Sequence, residues 1–185
     1  MATVDGFLMP DGIKGESTDS GHTGAIELDS FNWGSIQMST LGSATTGGGA
    51  GKVRAQDLHF RAVPSVASPL FYQYCTTGLP IKKVMLYVRK AGGKQIDYLT
   101  ITLENVYVTS HRINLGFDLD ESPTDGSTVR TDIAAGTAAT DNWVVWEYCS
   151  MSYNKLTFQY NAQQTDGTQG AATTKFWDYS LNTGG

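Results

Sequence analysis

The stretch Val84-Met85-Leu86-Tyr87-Val88, followed by Arg89-Lys90-Ala91-Gly92-Gly93-Lys94 and then Leu99-Thr100-Ile101-Thr102-Leu103-Glu104, decides the fold class. Val84, Leu86 and Val88 share one face of an extended chain, and Leu99, Ile101 and Leu103 repeat the period-two pattern beyond a glycine turn. Two such runs joined by a short glycine-containing connection predict an antiparallel β-hairpin. Met85 and Tyr87 make the second face of the first strand apolar as well. That face is expected to be covered by a subunit contact, or by a helix or loop of the same chain.

Outward from the hairpin the period of two persists. Ile26 and Leu28 alternate with Glu27 and Asp29 and lead into Phe31-Asn32-Trp33-Gly34. A strand is read across Val53 to Phe60, where Leu58 and Phe60 alternate with Asp57, His59 and Arg61. Leu156, Phe158 and Tyr160 alternate with Lys155, Thr157 and Gln159, and a last strand is expected at Lys175 to Leu181. After Asn105, Val106 and Val108 fall on the opposite phase, which calls for a bulge or a bend. One helix of about three turns is predicted, with Ser68 as N-cap, Pro69 in its first turn and Gly78 ending it. Leu70 with Tyr74 and Phe71 with Cys75 form its apolar stripe. Three stretches read as loops: Pro10 to Gly24, Gly42 to Gly51, and Arg112 to Asn142. The fold class is therefore mainly β, an antiparallel barrel or sandwich with one flanking α-helix, as a single domain over residues 1–185.

Composition agrees with one packed domain. The 185 residues include 40% hydrophobic and only 17% charged side chains, with 21 Gly, 7 Phe, 9 Tyr and 4 Trp. No apolar run approaches the ~20 residues of a bilayer span. The formal charge of −5 disfavours a nucleic-acid surface. Asp5 and Pro10 bracket too short an apolar run for a cleavable leader, so a reducing cytoplasm is expected, with Cys75 and Cys149 as free thiols.

The chemical motifs fail one by one. Gly51-Lys52 lacks the earlier glycine of a phosphate loop, is followed by Val53 rather than a hydroxyl, and precedes a strand. Asp118-Leu119-Asp120-Glu121 begins like a calcium loop but breaks at Ser122-Pro123. His22, His59 and His111 are isolated in the sequence, and no Cys-x-x-Cys or Gly-x-Ser-x-Gly is present. Cys75 among apolar neighbours is a poor thiolate. Catalytic, metal and cofactor sites are accordingly expected to be none. The aromatic residues leave a carbohydrate- or small-ligand-binding barrel as an alternative to a structural protein.

Four blocks in order carry a resemblance. They are Gly12-Ile13-Lys14-Gly15-Glu16-Ser17 with His22, Ile26-Glu27-Leu28 and Phe31 to Gly34; Gly47 to Val53 with Gln56-Asp57-Leu58 and Phe60; Val84 to Gly93 with Asp97 to Val106; and Glu147 to Tyr160. The set resembles the Hcp family (haemolysin-coregulated protein), the inner-tube subunit of bacterial type VI secretion systems. The resemblance implies a two-sheet β-barrel with a flanking helix, a homohexameric ring, rings stacked into a tube, and expulsion by a contracting sheath. It implies the VgrG spike, sheath proteins and small effector proteins carried in the lumen as partners, no catalysis, no nucleic acid and no membrane insertion. It also implies assembly in the bacterial cytoplasm and secretion without a cleaved signal peptide. Carried over by position, Asn32 is expected to face the lumen, and Lys14, Gly15, Glu16 and Ser17 to lie in a loop that meets a neighbouring subunit or ring. The segment at about 112–142 is longer than the family's usual link, an expected system-specific insertion. The chain ends at Gly185 after its last strand, so no fused toxin domain is expected.

Overall fold

The structure, a computed structural model, describes residues 4–39, 50–90, 95–115, 145–164 and 168–185. Its elements in order are β1 Val4–Pro10, β2 Ile26–Asn32, β3 Ser35–Ser39, β4 Ala50–Ala55, β5 Leu58–Ala62, α1 Ser68–Thr77, β6 Ile81–Lys90, β7 Ile96–Leu115, β8 Val145–Gln163, β9 Gln169–Asp178 and β10 Thr183–Gly184. The six strands β8-β5-β2-β1-β6-β7 are paired in that order, and β7 pairs back onto β8, which closes an antiparallel barrel. β9 and β10 continue the sheet outward from β8, while β3 and β4 form a separate hairpin.

The opening hairpin is present: β6 and β7 pair antiparallel, with Leu86 opposite Ile101 and Val84 opposite Leu103. The turn residues 91–94 lie outside the described residues. A row of apolar side chains runs around the wall, from Ile26 to Leu8, Leu86, Ile101 and Phe158. The first four are buried, as are Leu58, Phe60, Val84, Leu103, Val106 and Met151. Removing each large aliphatic side chain from water contributes about 1.5–3 kcal/mol, so the core lies inside the barrel wall.

Three boundaries differ from the sequence reading. The strand expected across Val53 to Phe60 is two strands, parted at Gln56–Asp57, where the Gln56 N–H donates to Gly34 O at 3.0 Å. The loop expected from Arg112 begins later, because β7 continues to Leu115 and pairs with β8 from Val145. The remaining residues of that loop, and most of the Gly42–Gly51 loop, lie outside the described residues. The strand expected at Lys175 to Leu181 is β9, which starts at Gln169 and ends at Asp178; residues 179–182 are turn and lead to the two-residue β10.

Asn105 adopts φ 53°, the left-handed conformation that Asn tolerates best among residues with a side chain. The inward phase changes there, from Leu103 to Val106 on β7 and from Leu156 to Tyr153 on β8. The feature is a bend shared by two strands, since the register between them is the same on both sides of it. β8 also changes partner here: its other edge pairs with β5 from Glu147 to Met151 and with β9 from Lys155 onward.

The helix is where it was expected, but its start is built differently. Ala67 is the N-cap, in helical conformation, with no side-chain cap. Ser68 is already helical, and its Oγ accepts the Ser65 N–H at 3.0 Å. At the other end Gly78, with φ 65°, donates its N–H to Tyr74 O at 3.0 Å and stops the helix. Phe71 is fully buried, edge-on to Phe60 at 5.7 Å, and Leu70, Tyr74 and Cys75 pack around it against the core.

Candidate assembly surface

Residues 11–25 link β1 to β2 and fold back as a strap. Asp11 donates its N–H to Lys83 O, and Gly15, Ser17 and Gly24 exchange backbone hydrogen bonds with Gly24, Ala25 and Ser17 at 2.8–3.0 Å. All four loop residues singled out from sequence lie on this strap. Lys14 is exposed, and Glu16 is exposed with Oε1 accepting the Val66 N–H at 3.0 Å. Ser17 is turned inward, donating its hydroxyl to Glu27 Oε1 at 2.7 Å. Gly15 lies so close to Ala25 that a Cβ there would overlap the Ala25 carbonyl.

The strap tip rests on β1, β6 and β7. Arg89 reaches both Asp19 oxygens at 2.8 and 2.7 Å. The Gly21 and His22 N–H groups donate to Asp19 Oδ1. The Arg89 hydrogen bond is the main reason that the Asp19 carboxyl is held down at about 2. The buried His22 ring lies between Phe7, at 4.4 Å, and Tyr87, at 4.8 Å, and its Nε2 bonds Asp97 Oδ1 at 2.9 Å. At Tyr87, then, the second apolar face of β6 is covered by a loop of the same chain.

Asn32 ends β2, exposed, opposite His59 of β5. On the same outward side Arg61 lies opposite Ser30 and Tyr148, and Arg112 lies opposite Tyr148. Arg61 stacks 4.6 Å over Trp146 and pairs with Asp29, while Arg112 stacks 5.2 Å over Tyr148. This wall is polar and cationic-aromatic rather than apolar.

A free sheet edge lies elsewhere. β9 pairs with β8 along one side, and β10 covers only Trp177 and Asp178 on the other. Phe176 bonds Gly185, so from Gln169 to Lys175 the outer edge of β9 carries no strand among the described residues. The side chains from Ala171 to Phe176 are exposed. Such an edge is a template for pairing with another chain.

Among the described residues no three His, Cys, Asp or Glu side chains converge as metal ligands. Burial pushes the Cys149 thiol well up, while Cys75 is half-exposed on α1. Two histidines isolated in sequence meet distant carboxylates: His22 meets Asp97, and His111 meets buried Glu147 at 2.7 Å. No local pattern encodes either pair. The aromatic residues largely serve one another: Trp33 stacks on Phe158 and donates its indole N–H to Tyr153 at 2.6 Å. Among the described residues no helix is long and apolar enough to cross a membrane.

The family described as "Type VI secretion system effector, Hcp" matches residues 7–160. Protein hcp1 of Pseudomonas aeruginosa is 29% identical over 182 residues, which cover 97% of each chain. The crystal structure of Hcp1 from Salmonella typhimurium superposes with TM-score 0.69 at 24% identity, covering 100% of this chain and 99% of that one. A type VI secretion system effector from Yersinia pestis gives TM-score 0.61 at 25% identity, covering 94% and 98%. The family match runs from Phe7 in β1 to Tyr160 in β8, well over half of the chain, so this chain belongs to the Hcp family of type VI secretion tube proteins.

Proposed function

We propose that the chain is a structural tube subunit that closes into a homohexameric ring, and that rings stack head to tail inside a contractile sheath. In this reading the tube is assembled in the bacterial cytoplasm and leaves the cell without a cleaved leader. It is pushed out behind a VgrG spike and carries small effector proteins in its lumen, and the chain catalyses nothing. The family match over the barrel carries the reading. Two physical features support it. Among the described residues the sheet that closes the barrel leaves one long outer edge, that of β9, and a one-sided edge meets a different surface on its neighbour. Such heterologous contacts generate rings. The wall bearing Asn32 is polar, as a water-filled lumen requires. Lys14 and Glu16 are exposed on the strap, and in this reading they meet a neighbouring subunit or ring.

Light scattering on the purified chain tests this, with a mass six times the 20.0 kDa monomer expected. Negative-stain images should show rings or stacked tubes. A strict monomer at high concentration overturns it.

A further inference from the structure

We infer that Arg89 and His22 are positioning residues for assembly, clamping the tip of the 11–25 strap so that Lys14 and Glu16 are held ready for a neighbour. The inference rests on the reading that this strap meets another copy. Apart from Ile13, Ala25 and the His22 ring, the strap buries little apolar surface. Hydrophobic burial alone therefore does not fix its path. Backbone hydrogen bonds hold its base, and side-chain clamps hold its tip.

Arg89 sits on β6 with its side chain only 6% exposed. Its fork takes both oxygens of Asp19, its Nη1 also reaches Gln95 Oε1 at 3.3 Å, and its Nη2 approaches Asp5 Oδ2 at 3.5 Å. The guanidinium lies 4.8 Å over the Phe7 ring, and its Nε has no hydrogen-bond partner. His22 inserts beside it, between Phe7 and Tyr87, tied to Asp97. A buried ion pair with an unmet donor is a poor source of net stability but restricts the chain to one arrangement. Planar bidentate geometry makes that restriction specific to arginine, because lysine keeps the charge and loses the fork. Neither side chain is among the apolar residues packed inside the barrel, whose β1–β6 pairing runs through the backbone. Their effect is to order the strap before it docks, which removes that ordering cost from association.

The test uses the full chain with Arg89→Lys, His22→Ala, the double variant Lys14→Ala/Glu16→Ala, and Arg61→Lys as a control ion pair away from the strap. Amide hydrogen exchange over residues 12–24, thermal unfolding, and the half-assembly concentration by light scattering are read for each. Arg89→Lys and His22→Ala should speed exchange in the strap while the barrel amides stay protected. If the docked fraction falls to a tenth, the half-assembly concentration rises roughly tenfold. Arg61→Lys should move neither readout. Unchanged exchange, or faster exchange with unchanged assembly, overturns the inference. If Lys14→Ala/Glu16→Ala weakens assembly and Arg89→Lys does not, the contact stands and the clamp alone is wrong. If neither weakens it, the strap contact is wrong and the inference falls with it. If only the clamp variants weaken assembly, the clamp stands and the contact moves to other strap residues.

Discussion

Gly15→Ala introduces one methyl group at the narrowest point of the strap. A Cβ at Gly15 would lie 2.7 Å from the Ala25 carbonyl carbon and 2.8 Å from Ile26 Cγ1, and closer still to the Ala25 carbonyl oxygen. Ordinary contact begins near 3.4 Å, so the two segments must part by more than half an ångström. The obstruction is backbone, which cannot swing aside. Parting strains the ladder of Gly15 N–H to Gly24 O, Ser17 N–H to Ala25 O and Gly24 N–H to Ser17 O. Overpacking costs about 1–3 kcal/mol. Two weakened hydrogen bonds add about 0.5–1.5 kcal/mol each. The sum expected is roughly 2–6 kcal/mol, or a melting temperature lower by roughly 4–24 °C for a domain of this size. Gly12→Ala is the comparison. Gly12 has φ 82° with open space around it, so its variant suffers only the left-handed penalty of about 1–2 kcal/mol. Urea and thermal unfolding of both variants, at matched low concentration because association shifts apparent stability, give the difference. A Gly15→Ala chain as stable as the Gly12→Ala chain would refute the close approach and the folded-back path of the strap.

Other outcomes follow from the same coordinates. Phe71→Ala should cost about 3–5 kcal/mol in urea unfolding, because it empties a fully buried site against Phe60; a loss below about 1 kcal/mol would mean that α1 does not seal the barrel. Asp19 falls from its ordinary 3.8 to about 2, chiefly through its hydrogen bond from Arg89, so its contribution is complete above pH 4 and fades as pH drops toward 2. The stability gap between wild type and Asp19→Asn should therefore narrow over that interval in a denaturant series, and a gap independent of pH would count against the pairing. Under native conditions a thiol reagent should label half-exposed Cys75, whereas Cys149 should react only after unfolding; equal rates would contradict its burial.

β5, β6 and β7 were legible because one face of each is buried, and burial at every second residue leaves a period in the sequence. The alternation at Val84, Leu86 and Val88, and the phase break at Asn105, are both present in the barrel. The start of α1 was not legible: a serine before a proline looks like a cap, yet Ser65 and Ala67 shape the turn and Ser68 joins the helix. Closure was not legible either, since the partners of β8 lie on β5, β7 and β9, and no local pattern says which strand finds which. The strap shows the same limit. Its polar composition reads as an extended loop, but the groups that hold it, Arg89 and Asp97, are some seventy residues away.

The way β8 is shared among three neighbours also governs when the fold can form. Residues 145–163 leave the ribosome late, and until they arrive β5 and β7 each lack a partner. The early strands can only wait as an open sheet with two unsatisfied edges, the state most exposed to aggregation. Most contacts of the last strands join residues far apart in the chain, and such topologies fold slowly because loop entropy must be overcome before pairing repays it. The slow step in refolding is expected at the docking of β8 between β5 and β7, so in stopped-flow refolding mutations at its junction near Asn154 should change the folding rate more than those in the β1–β2 pair.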